Sequence, residues 1–191
     1  MHDSRDLYQF YAPQLPFVLT DEELERYRSV RRPDAKPMQE VYDGSFIARN
    51  AADYDRSSAA VVAIQMLGHS MEAVPLPKGQ TLGYDFTTEN DGESVLYVAL
   101  IPTQPNDTGD LRFSVSVDGG TPQICSLKEE FRSEQWKLNV LRGQALKTFP
   151  LTLQQGSHRL EIKALDDHVV VDQWMIDFKK DRKFYVIPVE N

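Results

Sequence analysis

The sequence has little cysteine and no long apolar run. Its single cysteine, Cys125, cannot close an intramolecular disulfide, and it cannot supply a zinc site built from several cysteines. The longest apolar stretch, residues 59–64, is far shorter than the roughly 20 residues of a membrane-spanning helix. Residues 1–15 contain no apolar segment typical of a secretory signal. Disulfide scaffolds, zinc ribbons and transmembrane helices are therefore excluded.

Positive charge is also scarce. The chain carries 21 Lys and Arg residues against 29 Asp and Glu residues, for a formal net charge of −8. Because nucleic-acid affinity depends mainly on clustered cations, this balance argues against a nucleic-acid partner. A chain of 191 residues with 41% apolar residues can bury about 70% of its unfolded surface. We therefore expect one ordinary globular domain with a short appendage, and small ligands or protein partners remain open.

The first 44 residues differ from the rest of the chain in composition and in the period of their apolar residues. Prolines and glycine interrupt this segment around one helical signal, the capping box of residues 20–23. The predicted helix covers about residues 21–31, since Pro33 disfavours helical backbone at the residue before it. From Ser45 onward the apolar period changes from 3.6 to about 2. The sequence therefore predicts a connector over residues 1–44 and a β domain over residues 45–191.

Two hairpins are predicted in the first half of the β domain. Residues 80–87 alternate with Leu82, Tyr84 and Phe86 on one face, and the turn residues 90–92 lead into a second run, 94–101. Residues 112–117 alternate in the same way, turn at Asp118-Gly119-Gly120, and return over residues 121–126. Both patterns are typical of antiparallel strand pairs.

The second half adds a helix and three strands. Residues 133–141 have helical spacing, and residues 146–153, 159–165 and 169–178 are strand-like. In the middle strand, Leu160 and Ile162 alternate with charged residues, which predicts one face in water. Seven to nine short strands at regular spacing predict an all-β fold, an antiparallel β-sandwich or jelly roll.

The segment Gly68-His69-Ser70-Met71-Glu72 resembles the G-x-S-x-G turn of serine hydrolases. The second glycine is Glu72, and Pro75 and Pro77 prevent the helix that should follow. A bend between strands is the alternative interpretation. A serine esterase that uses Ser70 is therefore the least favoured hypothesis.

Two polar segments raise the question of a metal. Residues 106–110 resemble a fragment of a calcium loop but lack its spaced carboxylates and its final Glu. Residues 166–168 are similarly polar, and polar turns explain both segments. We expect no metal and no cofactor, with a structural calcium as the alternative. Of the two tryptophans, Trp174 is predicted to lie in the core, whereas Trp136 could stack on a sugar or cover the core.

The order of several motifs resembles the C-terminal β-sandwich domain of glycoside hydrolase family 115, the xylan α-1,2-glucuronidases. The matching motifs span about residues 45–190 in order. They are Ile47 to Tyr54, Leu67 to Ser70, Val74 to Pro77, Leu82 to Phe86, Leu100 to Pro105, Leu111 to Asp118, Trp136 to Leu141, Gly156 to Ile162 and Val169 to Asp172. Asn50 and Ala52 stand where related carbohydrate-binding sandwiches often carry Glu ligands for calcium, a departure that argues against a metal.

The resemblance implies a non-catalytic accessory module of an α-glucuronidase that acts on glucuronoxylan. Its expected roles are assembly with the catalytic region of the parent enzyme or homodimerisation, and contact with xylan; the alternative is an independent carbohydrate-binding module. The candidate carbohydrate-binding residues are Trp136, His69, Gln104 and Arg112. The expected ligands are glucuronoxylan or xylo-oligosaccharide. Neither a nucleic acid nor a membrane is expected as a partner. The family resemblance also implies a periplasmic or secreted location.

Overall fold

A computed structural model of the chain describes residues 20–22, 25, 26, 44–103 and 109–189. The chain divides into two compact units, Met1–Glu40 and Val41–Asn191. Residues 21, 22, 25 and 26 are helical, and the other positions of the helix predicted over 21–31 lie outside the described residues. Gln104 and most of the calcium-like segment 106–110 also lie outside them.

The second unit contains eleven strands and one helix. In chain order they are β1 (Phe46–Asn50), β2 (Arg56–Ser57), β3 (Ile64–Gln65), β4 (Glu72–Leu76), β5 (Thr81–Thr88), β6 (Gly92–Leu100), β7 (Arg112–Val117), β8 (Gln123–Ser126), α1 (Glu134–Arg142), β9 (Ala145–Leu153), β10 (Gly156–Ala164) and β11 (Val169–Asp177). None of the described helices is long and apolar enough to cross a membrane.

The strands form two antiparallel sheets that pack face to face. Sheet A has the order β3-β4-β11-β6-β9. Strands β4 and β1 pair with the same edge of β11, β4 along residues 169–171 and β1 along residues 173–177. Sheet B has the order β2-β5-β10-β7-β8. The all-β antiparallel sandwich that the sequence predicts is thus confirmed.

The core lies between the two sheets and is rich in aromatic side chains. Tyr84 and Trp174 are fully buried, and their ring centroids lie 5.4 Å apart in an edge-to-face arrangement. The Tyr84 hydroxyl donates to the Ala51 carbonyl at 2.9 Å, which satisfies its polar atom inside the core. Phe113 and Phe149 form a second edge-to-face pair at 5.8 Å. The core position predicted for Trp174 is confirmed.

The outer face of sheet A is covered as well. All nine residues of β11 are buried, because the C-terminal segment, residues 178–189, crosses this face. Phe184 packs edge-to-face against Tyr97 at 5.1 Å, and Ile187 joins a buried apolar cluster with Met175. Within residues 44–103 and 109–189, no comparable segment covers the outer face of sheet B. Its central strand β10 alternates between exposed or half-buried and buried residues.

Two of the predicted local elements are confirmed and one is wrong. The helix begins after Ser133, whose side chain accepts from the Trp136 N–H, and ends at Gly143 in left-handed backbone, as predicted. β7 and β8 form the predicted hairpin. β5 and β6 do not pair, however, because the turn at residues 90–92 carries the chain from sheet B to sheet A. Both strands are apolar on one face, so the pattern alone does not distinguish a hairpin from a crossing between sheets.

Candidate functional site

The tryptophan predicted to contact sugar is only partly available. Trp136 lies on α1 and is half-buried. The exposed ring of Phe131 packs edge-on against it, with the ring centroids 5.1 Å apart. Its indole Nε1 is buried and has no hydrogen-bond partner among the described residues. The Trp136 side chain is therefore partly covered by its neighbours, Phe131 among them.

His69 lies in the turn between β3 and β4. Its Nε2 is 2.9 Å from the Arg142 carbonyl at the end of α1, and its ring stacks near Tyr185 at 6.4 Å. The structure therefore places His69 beside the helix that carries Trp136. Arg112 belongs to sheet B and is engaged elsewhere.

Arg112 is held by a carboxylate. Its side chain donates to both oxygens of Asp166, at 2.8 and 3.1 Å, and its backbone N–H donates to the same carboxylate at 2.9 Å. These hydrogen bonds lower the pKa of Asp166 to about 2. Because a ligand anion would have to displace Asp166, Arg112 is poorly suited to bind one.

The serine of the hydrolase-like segment is tied to a buried carboxylate. Ser70 Oγ donates to Asp172 Oδ1 at 2.5 Å, and the backbone N–H groups of His69 and Ser70 donate to the same carboxylate at 2.8 and 3.1 Å. Gln144 adds a fourth hydrogen bond at 2.7 Å. Asp172, which is fully buried in β11, thus anchors the whole turn.

Glycine is required at position 68 for two reasons. Its φ is +78°, which is left-handed, and a Cβ there would lie only 2.3 Å from the Asp172 carboxylate oxygen. The turn therefore wraps Asp172 closely. A serine nucleophile needs a base within hydrogen-bond reach, and no imidazole among the described residues contacts Ser70 Oγ. This geometry is that of a structural turn.

The open face, defined as the outer surface of sheet B, has a different character. Two adjoining clefts of about 840 and 520 Å³ run along it and share Arg159 and Glu161 in their walls. Ligand sites commonly have volumes of 300–1,000 Å³. Most of the lining side chains are polar. These are Arg56, Ser57, Ser58, Thr81, Asp85, Thr87, Ser114, Ser116, Asp118, Ser157, His158, Arg159, Glu161 and Lys163.

One carboxylate on the open face is held by two cations. Asp85 accepts from Arg56 at 2.8 Å and from Arg159 at 3.0 Å. These hydrogen bonds lower the pKa of Asp85. Asp85 is therefore ionised at neutral pH, and the two guanidinium groups are held on either side of it.

A histidine closes one end of the larger cleft. His158 Nδ1 is 2.7 Å from Asp118, and its Nε2 is 2.7 Å from the Gln154 carbonyl. Burial acts to lower the pKa of His158, but these two hydrogen bonds outweigh it and raise that pKa above its usual value. Since both partners are acceptors, the geometry suits an imidazolium that donates from both nitrogens.

A guanidinium group holds together the loop that follows β1. Arg49 donates to Asp55 and to the Asp85 carbonyl, each at 3.0 Å, and also to the Asp53 carbonyl. Asn50, where calcium-binding relatives often carry Glu, accepts from Gln173 at 3.1 Å. No group of three or more His, Cys, Asp or Glu side chains is placed to hold a metal in the part of the chain that the structure describes.

The two clefts were not predicted from the sequence, although the candidate Arg112 stands on the same face of β7 as the cleft residues Ser114 and Ser116. The signal was present in β10, where Arg159, Glu161 and Lys163 alternate with apolar residues. That pattern predicts a wet face, but it does not tell which residues of other strands share it. The cross-strand pairs with Gly83 and Asp85 appear only once the sheet order is known.

Comparison with known proteins identifies a family and a fold. The family described as "Glycosyl hydrolase family 115 C-terminal domain" matches residues 44–190. A solved family GH115 4-O-methyl-α-glucuronidase with specificity for decorated arabinogalactans is 34% identical, with a TM-score of 0.64. The match covers 68% of this chain and 17% of that enzyme, so the present chain spans a small part of its length. No curated protein matches the chain.

Carbohydrate-binding modules share the fold at low identity. The C-terminal CBM6 of a laminarinase from Zobellia galactanivorans is 12% identical with a TM-score of 0.53, over 69% of this chain and 98% of the module. A CBM6 from a Cellvibrio mixtus lichenase, solved with cellotriose, is 14% identical with a TM-score of 0.51, over 70% and 97%. At these identities the likeness shows the fold alone.

Proposed function

Because the chain belongs to the glycosyl hydrolase family 115 C-terminal domain family, we propose that it is a non-catalytic accessory module of a larger α-glucuronidase, and that it contacts polysaccharide through the open face. The observation that carries the proposal is the pair of adjoining polar clefts on sheet B. Along several strands the two clefts present hydroxyl, carboxylate and guanidinium groups, which can donate to or accept from sugar hydroxyls.

The carboxylates of the open face support a binding role rather than a catalytic one. Glycoside hydrolysis uses a carboxylic acid whose pKa is raised so that it can donate a proton. The pKa of Asp85 is lowered by Arg56 and Arg159. Burial acts to raise the pKa of Asp118, but hydrogen bonds from His158 and the Arg159 N–H lower it overall. Both carboxylates are therefore suited to accept hydrogen bonds from sugar hydroxyls.

A second candidate role is assembly with the catalytic region of the parent enzyme. The α1 strip, defined as Phe131, Leu138, Leu141 and Tyr185, is apolar and 51–81% exposed. Tyr185 donates to the Leu141 carbonyl at 3.3 Å, so the C-terminal segment and α1 contribute to the strip together. Exposed apolar patches of this kind are typical of protein–protein contacts. A second copy of the chain is the other occupant that this surface fits.

Native gel electrophoresis through immobilised polysaccharide tests the binding role. We expect the chain to be retarded by glucuronoxylan, and decorated arabinogalactan serves as the second gel, since the similar enzyme acts on it. Trp136→Ala tests whether the tryptophan predicted from the sequence contributes to the retardation. Leu141→Glu on the α1 strip is the control variant in the same gel. Migration unchanged by every polysaccharide would contradict the proposal.

Light scattering tests the assembly role separately. The chain is expected to bind the separately expressed catalytic region, and Leu141→Glu should abolish that complex because it places a charge in the α1 strip. A dimer of the isolated chain that the same substitution dissociates would indicate the second copy instead. A monomer that binds no catalytic region would contradict assembly.

Because polysaccharides lie outside the cytoplasm, we also propose a periplasmic or secreted location, which cell fractionation can check.

A further inference from the structure

One edge of β5 loses its strand partner at Asp85. Strand β2 pairs with β5 only as far as Gly83. Within residues 44–103 and 109–189, no other strand pairs with this edge. Backbone groups two positions apart in an antiparallel strand point to the same edge. The N–H and C=O of Asp85 therefore face the edge that β2 has left, where they need other partners.

Two side chains take the place of the missing strand. Asp55 Oδ2 accepts from the Asp85 N–H at 2.7 Å, and Arg49 Nη1 donates to the Asp85 carbonyl at 3.0 Å. The same Arg49 nitrogen donates to Asp55 Oδ2 at 3.0 Å. This ion pair, which we call the edge clamp, offers Asp85 one acceptor and one donor. A neighbouring antiparallel strand offers a residue the same two contacts.

The edge clamp is held in place by its own surroundings. Arg49 lies on β1 of sheet A, and its guanidinium lies 5.7 Å from the ring centroid of the buried Tyr84. It also donates to the Asp53 carbonyl. Hydrogen bonds from the Asp85 N–H and from Arg49 hold the pKa of Asp55 below its usual value. Asp55 is therefore ionised at neutral pH, and the ion pair is formed there.

Asp85 connects the edge clamp to the clefts. Its carboxylate accepts from Arg56 and Arg159 on the open face. Arg159 lines both clefts, and Arg56 lines the smaller one. The three side chains are 44–52% exposed, so packing alone does not fix them. The spacing of the two guanidinium groups therefore depends on where the Asp85 backbone lies.

We propose that Asp55, held by Arg49, is a positioning residue for the two clefts. It fixes the Asp85 backbone at the edge of β5, and the Asp85 carboxylate in turn fixes the two guanidinium groups. Neither member of the edge clamp lines either cleft, so the effect on a ligand is indirect. The inference rests on the proposed function, since it names what shapes the binding surface. The contact at Asp85 can nevertheless be measured without a ligand.

Amide hydrogen exchange followed by nuclear magnetic resonance tests the contact at Asp85. Asp55→Ala removes the acceptor of the Asp85 N–H, so the exchange of that amide should become about tenfold faster. The amides of Leu160 and Ile162, two buried residues of β10, should keep their wild-type rates. This pattern separates a local loss at the sheet edge from a loss of overall stability.

Two further variants serve as rescue and control. Asp55→Asn keeps one side-chain oxygen, which suffices because a single oxygen of Asp55 accepts both hydrogen bonds. It should therefore restore most of the protection at Asp85. Asp110 also accepts from a backbone N–H, that of Leu111, at 2.8 Å. Asp110→Ala should leave the exchange of the Asp85 amide unchanged.

Affinity electrophoresis through glucuronoxylan tests the consequence for binding. Asp55→Ala should weaken binding about fivefold, because the guanidinium groups of the cleft wall lose their fixed spacing. Asp55→Asn should come closer to the wild-type affinity, and Asp110→Ala should match it. The Asp55 variants alter no residue that lines a cleft, so a change in retardation reports on positioning.

Four results would overturn the inference. Unchanged Asp85 exchange in Asp55→Ala would show that the edge clamp does not hold this residue. Equally faster exchange at Leu160 and Ile162 would show that Asp55 acts on overall stability instead. Faster exchange at Asp85 alone, with unchanged retardation, would overturn the positioning role and leave the proposed function standing. A wild-type chain that no polysaccharide retards would overturn both.

Discussion

The two sheets of the sandwich differ in the burial of their outer faces. In sheet A, every residue of β11 is buried, because the C-terminal segment covers the outer surface. In sheet B, β10 alternates, with Arg159 and Lys163 exposed and Leu160 and Ile162 buried. Both strands lie near the centre of their sheets. The difference is therefore in what covers each outer face.

This difference separates structural polar groups from available ones. Asp172 lies in the covered sheet, where four hydrogen bonds satisfy it, and burial without them would be costly. Glu161 lies half-buried on the open face, and its carboxylate makes no hydrogen bond within residues 44–103 and 109–189. Asp172 and Glu161 carry the same functional group, a carboxylate, so their different roles follow from their surroundings. We expect substitutions in sheet A to change stability and those on the open face to change binding.

The largest effect on stability is expected at the turn around Asp172. Gly68→Ala should lower the free energy of unfolding by about 4 kcal/mol, because the methyl group strains left-handed backbone and collides with a buried carboxylate. Gly79→Ala is the matched control. It has a φ of +82° and open space around its Cβ position, so only about 1 kcal/mol is expected. Equal losses for the two variants in urea unfolding would show that the turn does not grip Asp172.

A smaller loss is expected where the C-terminal segment covers sheet A. Met175 is fully buried in the cluster that includes Ile187, so Met175→Ala should cost about 3 kcal/mol. Glu161→Ala in the open sheet should change stability by less than about 0.5 kcal/mol. Urea unfolding of the two variants measures this contrast directly. A similar cost at both positions would mean that the open face is covered too.

The smallest effect is expected from His158, and it depends on pH. The pKa of His158 is raised in the folded chain. Its contribution to stability is therefore fully present below its unfolded pKa of about 6.5 and is lost as pH rises through the folded value. The pKa of Asp118 is lowered, so its own contribution is lost only as pH falls through that lower value. At pH 5.5 both contributions are present.

Urea unfolding at two pH values measures the contribution of His158. The difference in unfolding free energy between the wild-type chain and His158→Gln should be larger at pH 5.5 than at pH 8.5. Lys137→Gln is the control, since it removes one charge from the exposed i,i+3 pair with Glu134 and leaves His158 and Asp118 unchanged. The same His158→Gln difference at both pH values would argue against the imidazolium.

Much of the fold could be predicted because its signals are local. Alternation in residues 112–126 with a glycine turn predicts the β7–β8 hairpin, and Ser133 and Gly143 bound α1 as capping residues do. The predicted β5–β6 hairpin failed because strand pairing is a long-range property. Apolar faces on both strands suit a hairpin and a crossing between sheets equally well. Period and turn chemistry therefore predict elements better than they predict neighbours.

The functional surface could be predicted only in part for the same reason. The charged residues of β10 indicate a solvent-exposed face. Gly83 and Glu161, however, are 78 positions apart and are brought together only by the pairing of β5 with β10. Likewise, nothing near Asp172 in sequence shows that it anchors Gly68 and Ser70 more than 100 positions earlier. Trp136, His69 and Arg112 remain a prediction of the sequence, and the Arg112 side chain is already engaged by Asp166.

Nuclear magnetic resonance titration of the isotope-labelled chain with glucuronic-acid-decorated xylotetraose tests the central claim most directly. We predict that backbone amide shifts concentrate in β5 and β10, the two strands that contribute residues to both clefts. The amides of β11 and of the turn at Gly68 should stay unchanged. Shifts centred on α1 and the turn at His69, with β5 and β10 unaffected, would contradict the assignment of the open face as the sugar-contacting surface.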